Sequence, residues 1–339
     1  MKIKMKHAWI LLLVATCLAA CENQENTFPD YDYNAVYFPF QFPVRTLSLG
    51  TDDIDNSLDR ELKFHIGVSI GGMYENNRNW VVGYEVDESL CDSLGDDVRA
   101  LPASYYTLDP ANEVTIPEGS FDGLILVQLS EDFLTDTLAT GNYYVLPLRI
   151  TYTDADSILS GLPTVPDPDK RVASDWDAGA PAKDFTLFMV KYVNEYHGKY
   201  LRRGADYGTD AFGTITDSAI YREKYVERDQ VVSISTDGRY VLRTNFSGAY
   251  AGDEYAVRLT VDPASGEVKV ETAEGAKYRV VGTGSGSYLP GGDSWGGRER
   301  DVFYLDYRYR VGLYSHHVYD TLVYRDRGIA FEQFIPNIF

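Results

Sequence analysis

The sequence predicts an all-β protein of two domains, an N-terminal Ig-like β-sandwich followed by a C-terminal up-and-down lipocalin-like β-barrel. Two observations carry this. Short runs of alternating or wholly apolar β-formers recur along the chain, separated by Gly, Pro, Asn and Asp, and no stretch sustains a helical period. The character of the runs then changes: isolated strands precede a Pro- and Asp-rich loop, and a continuous meander follows it.

The elements follow in order. Residues 22–33 are polar, contain Pro29 and read as a tether. Val36-Tyr37-Phe38 is a short β-run. Leu62, Phe64, Ile66, Val68 and Ile70 alternate on one face of a strand, and Trp80–Val86 forms another, with Trp80 in the core. Leu124–Leu129 is apolar enough for a buried strand. Tyr143–Tyr152 is a long strand, and its Pro147 predicts an edge or a bulge because proline has no N–H to give a ladder. Residues 153–184 form a long loop with Pro163, Pro166, Pro168 and Pro181, and Phe185–Tyr192 closes the sandwich. The sandwich domain is placed at 34–194 and the barrel at 195–339. In the barrel, Asp237-Gly238 marks a hairpin between Val231–Ser235 and Arg239–Asn245. Strands follow at Glu254–Asp262, Val268–Glu271, Lys277–Val281, Phe303–Val311, Val318–Tyr324 and Ile329–Phe334, with a mobile loop expected at Gly282–Gly297.

The first residues predict export. Lys2, Lys4 and Lys6 precede the apolar core Ala8–Ala15, which is too short to span a bilayer. Leu18-Ala19-Ala20-Cys21 looks like a bacterial lipobox, so residues 1–20 are read as a lipoprotein signal and Cys21 as the lipidated residue. Lipid chains anchor without spanning. Glu22–Asn26 is similar to the acidic export signal of Bacteroidota surface lipoproteins. The expected location is the outer membrane, facing the exterior. Cys17 leaves with the signal and Cys91 alone stays free, so no internal disulfide is expected.

Composition limits function. With 31 Lys+Arg against 51 Asp+Glu, a net −20, the chain is repelled by nucleic-acid phosphates, and no nucleic-acid partner is expected. Aromatics reach 14%, including 27 Tyr, which suits strands and sugar-facing surfaces alike. Gly282-Thr283-Gly284-Ser285-Gly286 superficially matches a dinucleotide fingerprint, but no helix follows it. Asp53, Asp55, Ser57 and Asp59 start like a calcium loop, but Leu58 and Phe64 stand where an EF-hand needs Gly and Glu. Consecutive strand residues face opposite sides, so His316 and His317 cannot share a metal. No metal or other cofactor is expected.

Two loops supply the candidate ligand-binding residues. Trp176, between Asp175 and Asp177, pairs an aromatic ring with carboxylates that accept from sugar hydroxyls; its alternative is a loop anchor. Tyr288 and Trp295 stand in the glycine-rich segment as candidate sugar platforms, the alternative for Trp295 being a plug at the barrel mouth.

Tyr37-Phe38-Pro39 with Leu47, Ile66–Asn76, Leu101–Tyr106, Tyr144–Pro147 and the junction Phe185–Gly204 together resemble a Bacteroidota lipoprotein family of unknown function. The resemblance covers nearly all of the chain after the signal and brings no catalytic residues with it. It implies association with outer-membrane glycan utilisation systems of the SusC/SusD type. The expected function is non-catalytic capture of a polysaccharide or oligosaccharide. The alternatives are a glycan-active hydrolase and a structural or adhesive subunit packing on a partner lipoprotein.

Overall fold

The computed structural model describes residues 31–52, 54–95, 97–251 and 257–338. Cys21 and the signal, Asp53, Tyr255 and Ala256 lie outside them. Among the described residues no helix is long and apolar enough to cross a membrane.

The first domain is a sandwich of two sheets. One runs Ser157–Ile158, Ala35–Tyr37, Lys63–Gly71, Asp122–Leu129, Tyr106–Asp109. The other runs Glu332–Gln333, Pro43–Ser48, Phe185–Val193, Tyr144–Thr153, Trp80–Val86, Glu113–Ile116, with Arg99–Ala100 also on Tyr144–Thr153. Alternation puts Phe64, Ile66, Val68 and Ile70 of one sheet against Val82, Leu146, Leu148 and Ile150 of the other, all buried. The opposite parity of the second sheet is covered too. Val145, Leu187 and Met189 pack under the long loop with Trp176, which is why these strands read as continuous apolar runs.

Pro147 corrects an expectation, because its strand is central. Asp87 donates its N–H to the Pro147 carbonyl, so the side of Pro147 that lacks an N–H also faces Asp87. There the neighbouring strand changes from Trp80–Val86 to Arg99–Ala100. A gap between partners spares the missing donor as an edge would.

The second domain is a closed antiparallel barrel of eight strands: Gly198–Thr209, Gln230–Gly238, Val241–Thr244, Val257–Val261, Glu267–Thr272, Gly284–Trp295, Arg298–Val311 and Tyr314–Asp326, the last pairing with the first. Ile215–Tyr221 pairs with the far half of Gly198–Thr209 and Gln230–Gly238 with the near half, so the second barrel strand is split. The hairpin turn falls at Arg239-Tyr240, two residues beyond the expected Asp237-Gly238, with an irregularity between Thr236 and Gly238.

Three further expectations are corrected. The glycine-rich segment is a strand, Gly284–Trp295, not a loop. Gly284 and Gly286 lie where a Cβ would collide with Tyr307 and with the Tyr304 carbonyl and Leu305 side chain, so these glycines answer close packing, not mobility. Residues 277–281 form no strand of their own but lie along Arg298–Val311, through a Val280–Tyr309 bridge, Val281 N–H on Arg308 O at 2.7 Å and Arg310 N–H on Arg279 O at 3.3 Å. Finally, the chain end is not a barrel strand. After Arg327 it returns to the sandwich, where Glu332 and Gln333 pair with Val44 and Pro43, and Phe334 packs edge-on against Phe42.

Candidate functional site

A cleft of about 810 Å³ lies between the domains. Its sandwich wall is the strand Pro43–Ser48, the following loop and the one-turn helix Ser57–Arg60. Its barrel wall is the adjoining ends of Arg298–Val311 and Tyr314–Asp326. Arg327 fixes the two walls. Its guanidinium donates to Asp52 Oδ1 at 3.1 Å and Thr51 O at 3.2 Å on the sandwich, and to Glu195 O at 2.6 Å and His197 O at 2.8 Å at the junction. Gly50 is glycine because a Cβ there would strike that guanidinium.

The loop is braced from within. Asn56 Nδ2 donates to Ser48 O at 3.0 Å and Gly50 O at 2.6 Å. Asp59 is buried, paired with Arg45 and accepting from Ser48 N–H at 3.0 Å. Burial raises its pKa above the usual carboxylate range against the pull of those donors. Asp55 accepts from Ser57 N–H at 3.0 Å. On the barrel side, Asp301 accepts from Tyr288 Oη at 2.6 Å and Gly291 N–H at 3.0 Å. Arg300 lies over the Trp295 ring, 4.5 Å from its centroid, and its Nε is buried without a hydrogen-bond partner among the described residues; so is Arg45 Nε. The walls thus mix fixed carboxylate acceptors with guanidinium donors, and Tyr324 lies among them. Such a surface suits a polyol, whose hydroxyls both donate and accept.

The five expected ligand residues do not come together. Trp176 is buried and donates from Nε1 to Asp169 O at 2.8 Å, anchoring the loop on the sandwich. Asp175 accepts from Asp169 N–H at 2.9 Å, and Asp177 from Gly179 N–H at 2.8 Å. The loop-anchor alternative therefore describes Trp176, and both neighbouring aspartates shape the loop. Tyr288 packs into the barrel core, 4.8 Å from Tyr196 and 4.9 Å from Phe303 between ring centroids. Trp295 packs with Leu201, Val302 and Val323 on the outside of the barrel, so it neither plugs the mouth nor stands free. Its Nε1 donates to Tyr324 O at 2.8 Å, which places it beside the cleft.

The barrel interior holds a polar cluster that sequence reasoning missed. Arg202 and Asp320 are fully buried and paired at 3.1 Å, and Tyr221 donates to the same carboxylate at 2.6 Å. Four residues along the same strand, Asp206 accepts from Tyr309 Oη at 2.6 Å and from Ala249 N–H at 2.8 Å, and lies 3.0 Å from His316 Nδ1. Arg202 also reaches the Gly248 carbonyl, and Tyr307 Oη accepts from Gly248 N–H at 2.8 Å. Gly248 has a positive φ of 53°, and a Cβ would strike Asp206 and Tyr309. The segment around Phe246 and Gly248 is thereby tied into the barrel, whose interior is filled by side chains. The signal was present: Arg202 and Asp206 share the parity of buried Tyr200, and His316 and Asp320 that of Val318's face.

Other motifs resolve into structure. Asp59, the last of the residues that start like a calcium loop, pairs with Arg45. His316 faces inward while His317 faces outward to Asp306 at 2.6 Å. Burial pushes the Cys91 thiol up to about 12, which keeps it protonated and unreactive.

The comparisons with known proteins follow this division of the chain. Residues 195–328 match a family model described as a domain of unknown function, DUF5627, and residues 31–157 match a model of an N-terminal domain. A crystal structure of a Bacteroides ovatus protein of unknown function is 36% identical, covers 91% of this chain and 99% of its own, and superposes with a TM-score of 0.79. A second Bacteroides ovatus protein of unknown function is 14% identical over 90% of this chain and 100% of its own, with a TM-score of 0.43. A third, whose description suggests carbohydrate binding, is 14% identical over 89% of this chain and 99% of its own, with a TM-score of 0.30. The last two are too distant to carry an argument. No curated protein matches.

Proposed function

The chain belongs to the family of the 36%-identical Bacteroides ovatus protein of unknown function, and we propose that it is a non-catalytic glycan-binding protein whose ligand lies in the interdomain cleft. The observation that carries this is the wall chemistry: guanidinium and carboxylate groups held in place by their neighbours, with Arg300 laid on Trp295 and lacking a carboxylate partner among the described residues. Of the carboxylates lining the cleft, Asp52 is held by Arg327, Asp59 by Arg45 and Asp301 by Tyr288. That supports binding over hydrolysis at these three groups, since hydrolysis needs one carboxyl free to give up its proton and another to attack or to activate water. Lipidation at Cys21, a place on the outer membrane and work beside SusC/SusD-like proteins belong to the same proposal and are supported by the sequence motifs alone.

Affinity electrophoresis of the purified protein against a panel of neutral and acidic polysaccharides tests the reading, with reducing-end release assayed in parallel. Retention by at least one glycan without release is expected. Arg300→Ala should weaken that retention about tenfold, the value of one charged hydrogen bond. Release of reducing ends would move the protein to the hydrolases. Unchanged mobility across the panel would leave the structural or adhesive role as the better reading.

A further inference from the structure

We propose that the outer wall of the barrel carries a second glycan-binding surface, an exposed diagonal of tyrosines that takes an extended, ribbon-like polysaccharide chain. This rests on the glycan-binding reading but on residues outside the cleft.

The register defines the surface. Tyr304 lies opposite Thr321, Asp306 opposite Tyr319, and Arg308 opposite His317 on the strands Arg298–Val311 and Tyr314–Asp326. Across the closing seam, Ala205 lies opposite Tyr319 and Tyr207 opposite His317. Tyr304, Tyr319 and Tyr207 therefore stand one strand apart and two residues apart at each step. Strand spacing and rise put neighbouring members about 8 Å apart at the backbone, along one diagonal of the barrel wall. All three have outward parity: buried Phe303, Leu305, Val318, Asp320 and Asp206 alternate with them. Tyr304 is 39% and Tyr319 46% exposed, and Tyr207 is half-buried.

The rings are held and flanked by hydrogen-bonding groups. His317 packs on the Tyr319 ring with centroids 4.3 Å apart, and its Nε2 is 2.6 Å from Asp306. Tyr319 Oη lies 3.2 Å from His317 Nδ1, and Tyr304 Oη donates to Gly292 O at 3.3 Å. Rings fixed in this way lose little entropy when a ligand covers them. A sugar in a ribbon-like chain presents an apolar C–H face to an aromatic ring and hydroxyls at its edges. Exposed Asp306 and Arg308 supply an acceptor and a donor beside the line. A protein partner is less suited, because the apolar surface comes as separate rings among charges and not as one contiguous patch.

The test uses the purified protein, with glucomannan and hydroxyethylcellulose as extended probes and dextran as a flexible control. The variants are Tyr304→Ala, Tyr319→Ala and Tyr319→Phe, with Arg300→Ala reporting on the cleft. Each alanine variant should weaken retention by an extended probe about tenfold or more, Tyr319→Phe should restore it, and dextran should be little retained. Loss with the wall variants supports the surface whether or not Arg300→Ala also weakens retention. Retention that falls with Arg300→Ala and is untouched by the wall variants would overturn the wall and leave the cleft standing. No retention of any glycan would overturn both. Unchanged thermal melting of the variants excludes a folding artefact.

Discussion

At the scale of single residues, His197 links stability to pH. It sits at the junction of the domains, accepts the Thr236 N–H at 3.1 Å on Nδ1, and is held neutral: burial first, then Arg327 and Lys191, lower its pKa to about 4. The unfolded chain takes up the proton near the ordinary value, about 6.5, and the folded chain does not until about 4. The unfolded state therefore binds more protons across that window, and stability falls as pH drops from about 6.5 to 4, by up to about 3 kcal/mol. His197→Gln keeps an acceptor for Thr236 and removes the titration. Melting temperatures measured from pH 7 to pH 4 should fall less steeply in the variant. Equal slopes would show that His197 is not the group responsible.

At the scale of elements, the polar cluster is the seam between the barrel and the segment that enters it. Arg202 meets Asp320, Tyr221 and the Gly248 carbonyl, and its guanidinium lies over Phe246 at 4.2 Å. Arg202→Ala leaves a buried carboxylate without its cation and should cost about 3–5 kcal/mol. Arg202→Met combined with Asp320→Asn should cost clearly less than the two single changes together in urea unfolding, and additivity would dissolve the pair as a unit. The strand pattern made most elements legible: Lys63–Gly71, Phe185–Val193 and Arg298–Val311 alternate or run apolar as expected. Gly284–Trp295 was not legible, since its glycines answer the backbone and side chains of the next strand, Arg298–Val311, in a register the local pattern does not show. Trp176 shows why the site was harder still. An aromatic between carboxylates in a loop reads alike whether its ring faces solvent or the underside of a sheet. Arg300, Arg327 and the tyrosine diagonal depend on register, which no local pattern contains.

At the scale of the molecule, two devices make one body of two domains: the Arg327 guanidinium and the returning tail. The tail adds the pairs Pro43–Gln333 and Val44–Glu332, a bond from Gly95 N–H to Asn337 O at 2.7 Å, and the Phe334 ring on Phe42. It also covers the outer edge of Pro43–Ser48, the strand that lines the cleft. A protein shortened after Gly328 keeps every barrel strand and loses this cover. Its sandwich should be weaker by about 3 kcal/mol, from one large apolar side chain and a few hydrogen bonds. Scanning calorimetry should then resolve a sandwich transition below that of the barrel. A single unshifted transition would show that the tail holds nothing.

The same tail biases the order of folding. Glu332 and Gln333 complete a sheet that includes Pro43 and Val44, and an open search across so much chain would be slow. Barrel closure removes most of that distance. Once Tyr314–Asp326 zips onto Gly198–Thr209, residue 327 is back beside the junction where the barrel began. The loop still to be closed is then short, and its entropy cost small. Barrel closure thus lowers the entropy cost of seating Glu332–Gln333, and favours completing the sandwich sheet after the barrel has formed.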